Sequence, residues 1–263
     1  MEVLTPRGDL ERFFGMLQKA PRPILFTDYD GTLAPFRKDP SKATPYVGVR
    51  ELLDEIRSQG TRLIVVSGRA IDDLLPLLAL DGVEIWGSHG RERQMAGGRR
   101  SIAPIPRESK AAMSRAEQLL RENDLEQRCE KKPGCIAVHH RGLDSADAER
   151  IEQEVTEIWS QVAMEGRLEL RHFDGGVELQ VPGISKGTVI RRVLKEVDEV
   201  SPSIAYLGDD LTDEDAFEEL REKGLCVLVR PEFRATRADL WLTPPDELLS
   251  FLERWSEMTK DRP

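Results

Sequence analysis

The run 28–33, Asp-Tyr-Asp-Gly-Thr-Leu, follows the apolar stretch 24–26 and constrains this chain more than any other feature. Side chains at i and i+2 of a strand point to the same side, but the chain leaves the sheet at Gly31, so the carboxylates of Asp28 and Asp30 can diverge. One could attack while the other moves a proton, and a carboxylate nucleophile suits phosphoryl transfer because an aspartyl-phosphate divides hydrolysis into two displacements. The alternative is a strand ending in an Asx turn. The preceding apolar strand and the following Thr-Leu favour catalysis.

Length and charge limit the classes of protein to which this chain can belong. Its 263 residues can bury a substantial core, as one large domain or as a domain with a smaller insertion. The 38 Lys and Arg against 48 Asp and Glu give a net charge of −10, which argues against a general nucleic-acid binder. Three cysteines give no disulfide framework, and no segment reads as a signal peptide or a membrane-spanning helix. We therefore expect a monomeric, cytoplasmic enzyme with no nucleic-acid or membrane partner and a small-molecule substrate.

Short apolar runs alternate with segments of helical period at both ends of the chain, which is typical of βαβ units and a parallel sheet. The pattern predicts strands over 24–26, 63–66, 83–86, 204–207 and 225–229, and helices over 47–58, 70–80, 186–197 and 214–222. The middle differs, with helices near 109–125 and 146–163 and strands over 135–139, 168–172 and 177–181. We therefore predict a Rossmann-like α/β core made of 1–104 and 184–263, with an inserted α+β domain over 105–183.

Polar residues follow two further predicted strands, where open α/β sheets bind ligands. Ser67 comes directly after 63–66, and its hydroxyl could hold phosphate oxygens together with backbone N–H groups, although simple capping of the next helix is the alternative. The segment 208–215 brings acids to the end of 204–207, and such oxygen-rich groups favour Mg²⁺. Thr212 with Asp215 also fits a capping box. Asp209 is harder to explain structurally, because gathering it with Asp28 and a phosphate requires cations.

Lys186 opens a predicted helix, where a cation is unfavourable for the helix dipole. Neutralising the nucleophile and the phosphate would explain it, whereas an exposed lysine is the commoner case. Zinc is a further alternative for the residues Cys129, Cys135, His139 and His140, but their spacing matches no structural zinc pattern. Core packing is the simpler interpretation of Trp86, Trp159, Trp241 and the leucines at 74, 75, 77 and 78.

Four motifs in this order, Asp28-x-Asp30-Gly-Thr, Ser67-Gly-Arg, Lys186 and Gly208-Asp-Asp, resemble those of haloacid-dehalogenase-type phosphatases. The strings 208–217, 87–92 and 138–141 are similar to trehalose-6-phosphate phosphatases, and the likeness spans about 24–241. The resemblance implies Asp28 as nucleophile, Asp30 as general acid and base, and Ser67 and Lys186 as phosphate ligands. It also implies Mg²⁺ held by Asp28, the Asp30 carbonyl and Asp209, with Asp210 and Asp213 in support.

The same resemblance implies that the inserted domain is a mobile cap that closes over a sugar and excludes water. Substrate-binding candidates are Lys132, His139, Arg141 and Glu178 in the cap, and Gly68, Arg69, His89 and Glu92 in the core. The family usually has Tyr where this chain has His140, which bears on the identity of the sugar. The expected reaction is Mg²⁺-dependent hydrolysis of trehalose 6-phosphate. The alternatives are a phosphatase for sucrose or mannosylglycerate phosphate, a phosphomutase, and a non-catalytic sugar-phosphate sensor or phospho-accepting domain.

Overall fold

A computed structural model describes residues 1–37, 39–173, 175–197 and 203–260. Contacts divide the chain into two compact units: unit 1 comprises Met1–Ser101 and Ser185–Pro263, and unit 2 comprises Ile102–Ile184. In chain order the strands are β1 (Glu2–Val3), β2 (Ile24–Thr27), β3 (Arg62–Val66), β4 (Glu84–Gly87), β5 (Glu92–Gln94), β6 (Arg100–Ile102), β7 (Cys129–Lys132), β8 (Cys135–His139), β9 (Glu169–Phe173), β10 (Gly176–Gln180), β11 (Ile204–Gly208), β12 (Leu225–Val229) and β13 (Leu240–Leu242). The α-helices are α1 (Leu10–Leu17), α2 (Val49–Ser58), α3 (Ile71–Leu78), α4 (Arg107–Glu122), α5 (Ser145–Glu165), α6 (Lys186–Lys195), α7 (Glu214–Leu220) and α8 (Asp246–Lys260).

Unit 1 is built on a nine-stranded sheet in the order β1-β13-β12-β11-β2-β3-β4-β5-β6. The six strands from β13 to β4 run parallel, while β1 and β5 pair antiparallel with their neighbours. Strands β2, β11 and β12 are buried throughout, as expected where helices cover both faces of a parallel sheet. Helices α1, α2, α3 and α8 pack on one face, and α6 and α7 pack on the other. The predicted parallel α/β core is confirmed.

Unit 2 is a four-stranded antiparallel sheet in the order β7-β8-β10-β9. Its apolar residues point alternately to one face, where they form a single core with α4 and α5 around Trp159. The other face carries charged and polar side chains. A sheet with one apolar and one polar face is the usual antiparallel arrangement.

The predicted helices and strands are present, with ends that shift by a few residues. Trp86, Trp159 and three of the four leucines are buried in the cores, while Leu75 and Trp241 pack partly buried against them. Every helix within the described ranges is too short or too polar to cross a bilayer.

Candidate active site

The acids of the first and last motifs meet because their strands are neighbours. Strands β2 and β11 run parallel with Thr27 opposite Leu207, and the Asp28 N–H donates to the Leu207 carbonyl at 2.8 Å. Gly31 has a φ of +83°, and a Cβ there would lie 2.0 Å from Oδ2 of Asp209. Only glycine both adopts this conformation readily and leaves room for the carboxylate. The motif glycine therefore lets the Asp209 side chain approach the turn that carries Asp28.

Lys186 joins this group as the first residue of α6. Its Nζ lies 2.9 Å from Oδ1 of Asp28 and 2.7 Å from Oδ1 of Asp213, and its side chain is only 3% exposed. The alternative of a solvent-exposed lysine is therefore wrong. Burial acts to lower the pKa of Lys186, but the charges of Asp213 and Asp28 outweigh it and raise this pKa above its ordinary value. The ammonium is thus held charged beside the candidate nucleophile.

Asp213 uses both carboxylate oxygens within the site. Its Oδ1 accepts from Lys186 and from the Tyr206 hydroxyl at 2.6 Å, and its Oδ2 accepts the N–H groups of Asp209 at 3.1 Å and Asp210 at 3.0 Å. Because these bonds occupy both oxygens, Asp213 is suited to orienting Lys186 and the backbone of 209–210.

The capping box at this segment involves other residues than the pattern predicted. Asp210 and Asp213 cap each other reciprocally, so the expected pairing of Thr212 with Asp215 is wrong. The physical reason is a 3₁₀ turn over Leu211–Asp213, which precedes α7 and moves the cap two residues upstream. The Asp210 carboxylate also accepts the Leu211 N–H at 2.6 Å.

Buried negative charge dominates the electrostatics of this acid cluster, which we define as Asp28, Asp209 and Asp213. Burial raises the pKa of Asp28 from 3.8 to about 7, against the opposing charge of Lys186. Burial and the charges of Asp28 and Asp213 hold the pKa of Asp209 well above its ordinary value. One oxygen from each carboxylate lies within 4.8 Å of the others, and no other such group of ligands occurs in the described part of the chain. Hard oxygen donors that repel one another suit Mg²⁺.

Asp30 points to a different partner from Asp28. Its two oxygens accept from Nε and Nη2 of Arg69, each at 2.6 Å, in a bidentate ion pair. The Arg69 guanidinium also lies 5.8 Å from the centre of the buried Tyr29 ring. The two carboxylates of the motif therefore diverge, and Asp30 is fixed by the arginine of the second motif.

Ser67 lies buried at the end of β3, and its Oγ accepts the Arg69 N–H at 3.1 Å. Helix α3 begins at Ile71 with Ala70 as its N-cap and no side-chain cap, so the capping alternative for Ser67 is wrong. A Cβ on Gly68 would lie 2.8 Å from Cε1 of His89. The second motif is thus a tight turn that packs against the His89 ring.

His89 lies in the turn that follows β4, and Glu92 is the first residue of β5. The His89 N–H donates to the Ser67 carbonyl at 3.0 Å, and its φ of +57° is left-handed. Glu92 Oε2 accepts the Ser88 hydroxyl at 2.6 Å and the Ile71 N–H at 3.4 Å. His89 therefore lies beside the second motif, whereas the Glu92 carboxylate stabilises the turn and the start of α3.

The candidates in unit 2 lie on the polar side of its sheet around Glu130, a residue that the sequence did not suggest. Glu130 Oε2 contacts Nζ of Lys132 at 3.0 Å and Nε2 of His139 at 2.8 Å. We call Glu130, Lys132, His139 and Glu178 the polar face. The register places Glu130 and Glu178 on opposite sides of Ala137, so both project to this face.

Ion pairing keeps the polar face charged. Burial acts to raise the pKa of Glu130, but the hydrogen bond from His139 and the charge of Lys132 lower it to about 2. Burial acts to lower the pKa of Lys132, but the charge of Glu130 outweighs it and raises that pKa. Arg141 lies next to this group in the chain, with its guanidinium 6.0 Å from the Phe173 ring centre.

The zinc alternative is not supported within the described ranges. The side chains of Cys135, His139 and His140 contact Glu178 at 3.5 Å, Glu130 at 2.8 Å and Glu152 at 3.5 Å respectively, and they do not converge on a common point.

Known proteins resemble this chain in sequence and in fold. A family model described as trehalose-phosphatase matches residues 26–239. Trehalose-phosphate phosphatase B of Arabidopsis thaliana is 30% identical over 257 residues, a match that covers 89% of this chain but only 66% of that relative. The solved C-terminal domain of the C. albicans trehalose-6-phosphate phosphatase has a TM-score of 0.84 at 21% identity, covering 98% of this chain and 99% of that one. A haloacid dehalogenase-like hydrolase from Bacteroides thetaiotaomicron has a TM-score of 0.63 at 18% identity, covering 89% and 99%. The expected fold class is confirmed by both structures.

Proposed function

The chain belongs to the trehalose-phosphatase family, and on that basis we propose that it hydrolyses trehalose 6-phosphate to trehalose and phosphate with Mg²⁺. The observation that carries the proposal is the surroundings of the buried Asp28. Its Oδ1 lies 2.9 Å from Nζ of Lys186, and its carboxylate is grouped with those of Asp209 and Asp213. A structural role alone would not require three buried carboxylates around one lysine, because such a group is electrostatically costly. We also place the enzyme in the cytoplasm, which fits its three free cysteines.

Asp28 is the proposed nucleophile. Its oxygen attacks phosphorus, the bond from phosphorus to the sugar oxygen breaks, and an aspartyl-phosphate forms. Lys186 favours the ionised carboxylate and would neutralise the phosphate oxygens as well. Water then attacks the aspartyl-phosphate, which releases phosphate and restores Asp28.

Asp30 is the proposed general acid and base. It would donate a proton to the departing sugar oxygen and later take one from the attacking water. Its bidentate pairing with Arg69 fixes the direction of the carboxylate in the absence of substrate. Proton donation therefore requires Asp30 to exchange at least one of these contacts for one with the sugar.

The donor set fits a divalent cation held by Asp28, Asp209 and the Asp30 carbonyl. When bound, Mg²⁺ would offset the crowded negative charge and polarise the phosphoryl group. Asp210 and Asp213 would support the site through the backbone of the loop, because their carboxylates are already engaged in hydrogen bonds.

Substrate binding is proposed for two sets of residues. Phosphate oxygens would be held by Ser67, by Lys186 and by the backbone of Gly68 and Arg69. His89 and Glu92, which follow β4 in the chain, would lie close to this phosphate site. Unit 2 would act as the cap, with Lys132, His139, Arg141 and Glu178 binding sugar hydroxyls. Its paired charges suit hydroxyl groups, which both donate and accept hydrogen bonds.

The test is phosphate release from trehalose 6-phosphate, sucrose 6-phosphate, mannosylglycerate phosphate and glucose 6-phosphate, each with EDTA and after Mg²⁺ is restored. We expect the highest kcat/KM for trehalose 6-phosphate and no release with EDTA. If another substrate of the panel has a higher kcat/KM, the assignment of trehalose as the sugar is wrong. His140 bears on this part of the proposal. Phosphate that remains on the sugar would indicate a mutase, and binding without release would indicate a sensor.

A further inference from the structure

Two arginines beyond β12 donate to the backbone of the segment that carries Asp209. Arg234 donates from Nε to the Asp209 carbonyl at 3.1 Å and from Nη2 to the Asp210 carbonyl at 2.7 Å. Arg230 donates from Nη1 to the same Asp209 carbonyl at 3.3 Å. The Arg234 side chain is only 16% exposed. Neither arginine belongs to a motif that the sequence singled out.

The same two residues, Asp209 and Asp210, are also held through their backbone N–H groups. Asp213 Oδ2 accepts the N–H groups of both Asp209 and Asp210. Carbonyls fixed by Arg234 and N–H groups fixed by Asp213 leave the loop little rotational freedom. We propose that Arg234 is a positioning residue that holds the Asp209 carboxylate in its metal-binding direction.

Electrostatic repulsion explains why the loop that carries Asp209 has to be held in position. One carboxylate oxygen of Asp209 lies within 4.8 Å of one from Asp28 and one from Asp213, so the ionised carboxylates repel one another. The loop could relieve this repulsion by turning Asp209 away. Arg234 opposes that movement through a carbonyl, so it occupies no carboxylate oxygen that a cation would need. Oδ1 of Asp209 is steadied separately by the Thr32 hydroxyl at 3.1 Å.

Glu214 fixes the direction of Arg234. It accepts from Nη1 of Arg234 at 2.5 Å, from the Thr236 hydroxyl at 2.7 Å and from the Arg237 N–H at 2.8 Å. A planar guanidinium can serve this carboxylate and two carbonyls at once, whereas a lysine ammonium on a flexible stem cannot reproduce the arrangement. Glu214, the first residue of α7, therefore holds the Arg234 guanidinium against the loop.

The inference rests on the proposed metal site, and its test measures metal binding directly. Mn²⁺ is titrated into the full chain, and the EPR signal of free Mn²⁺ reports the dissociation constant. Arg234→Lys and Glu214→Gln should each weaken Mn²⁺ binding by about 10–100-fold, as removal of outer-shell partners does elsewhere. At saturating Mg²⁺ the kcat of each variant should lie within a few-fold of the wild-type value. The variants would then differ from wild type in the Mg²⁺ concentration that they need, and not in kcat.

Arg237→Gln is the matched control. The Arg237 side chain is 54% exposed and contacts Glu214 at 3.8 Å and Glu218 at 3.1 Å, and its backbone bond to Glu214 survives the substitution. This variant should bind Mn²⁺ like wild type. If circular dichroism shows that Arg234→Lys does not fold, Mn²⁺ binding by Glu214→Gln tests the inference instead.

Two results would overturn the inference and are distinguishable. If wild type binds Mn²⁺ and the folded variants bind it equally well, Arg234 has no positioning role, while the proposed function stands. If wild type leaves the Mn²⁺ signal unchanged, the metal site itself fails and the inference fails with it.

Discussion

The acid cluster of unit 1 and the polar face of unit 2 are both groups of buried or half-buried charges, but they are balanced differently. In the acid cluster, burial raises the pKa of Asp28 to about 7 and that of Asp209 well above its ordinary value. On the polar face, the partners of Glu130 lower its pKa to about 2. Asp28 and Asp209 in the acid cluster therefore resist ionisation, whereas Glu130 on the polar face ionises readily.

The difference follows from the number of partners. In the acid cluster Lys186 contacts two of the three carboxylates, those of Asp28 and Asp213, whereas on the polar face the single carboxylate of Glu130 contacts both Lys132 and His139. A group with excess negative charge gains from a cation, whereas Glu130 is already paired before any ligand arrives. We therefore expect the proposed cation to stabilise unit 1 rather than unit 2. The predictions below test that contrast.

The largest effect is expected from Asp28→Asn. Loss of the proposed nucleophile should lower kcat for trehalose 6-phosphate by about 10⁴- to 10⁶-fold, the range seen when members of a catalytic unit are removed. Phosphate release at saturating substrate and Mg²⁺ measures it. Asp72→Asn, at an 80% exposed side chain, is the matched carboxylate-to-amide control and should stay near wild type. A near-normal rate for Asp28→Asn would remove Asp28 from the mechanism.

The same substitution should stabilise the metal-free protein at high pH. Since the folded-state pKa of Asp28 lies above its unfolded value of 3.8, folding favours the protonated form, and wild type loses stability as pH rises from about 4 to 7. Asp28→Asn removes the titrating group and with it this loss of stability. The difference in free energy of unfolding between the variant and wild type should therefore grow by at most about 1.4 kcal/mol for each pH unit in that window. Urea unfolding in EDTA at pH 4 and pH 8 measures it. Equal differences between variant and wild type at both pH values would contradict the raised pKa.

Mg²⁺ should stabilise wild type by an amount set by its affinity. At 100 times the dissociation constant, the gain in free energy of unfolding is about 2.7 kcal/mol. Thermal unfolding with Mg²⁺, and with KCl at equal ionic strength, separates specific binding from screening. Asp209→Asn should lose the gain, because it removes a ligand and lessens the repulsion that the cation relieves. A shift that persists in Asp209→Asn would place the cation elsewhere.

The smallest effect is expected on the polar face. Glu130→Gln should destabilise the protein by less than about 1 kcal/mol at pH 7, because the Glu130 side chain is 35% exposed and its ion pairs are screened. Its folded-state pKa is lowered, so the difference from wild type should shrink as pH falls from about 4.5 towards 2. Urea unfolding across that range measures it, and a difference that grows at low pH would contradict the pairing.

Sequence patterns predicted the parallel sheet and the acid cluster because both depend on local signals. Buried strands such as β2 and β11 read as continuous apolar runs, and the acids follow them directly. Strand β7 was missed because its residues, Cys-Glu-Lys-Lys, show no apolar alternation. Strands β1 and β13 are two and three residues long and form through their pairing with each other and with β12.

The missed site residues make contacts that form only when separate elements of the fold pack together. Tyr206 was read as part of an apolar strand, yet its hydroxyl binds Asp213. Arg234 contacts a loop more than twenty residues upstream, and Glu130 reaches His139 only when β7 and β8 pair. No spacing rule within one segment encodes such contacts, whereas the motif residues occur at strand ends that periodicity reveals.

The discontinuity of unit 1 has a consequence for protein synthesis. The ribosome delivers β2 early, but its neighbour β11 emerges only after all of unit 2 has been made. Until then the nascent chain exposes an apolar strand edge to mispairing, which is a target for chaperones. The acid cluster therefore forms late in translation, and a ribosome stalled before residue 209 carries Asp28 without the loop that supplies Asp209 and Asp213.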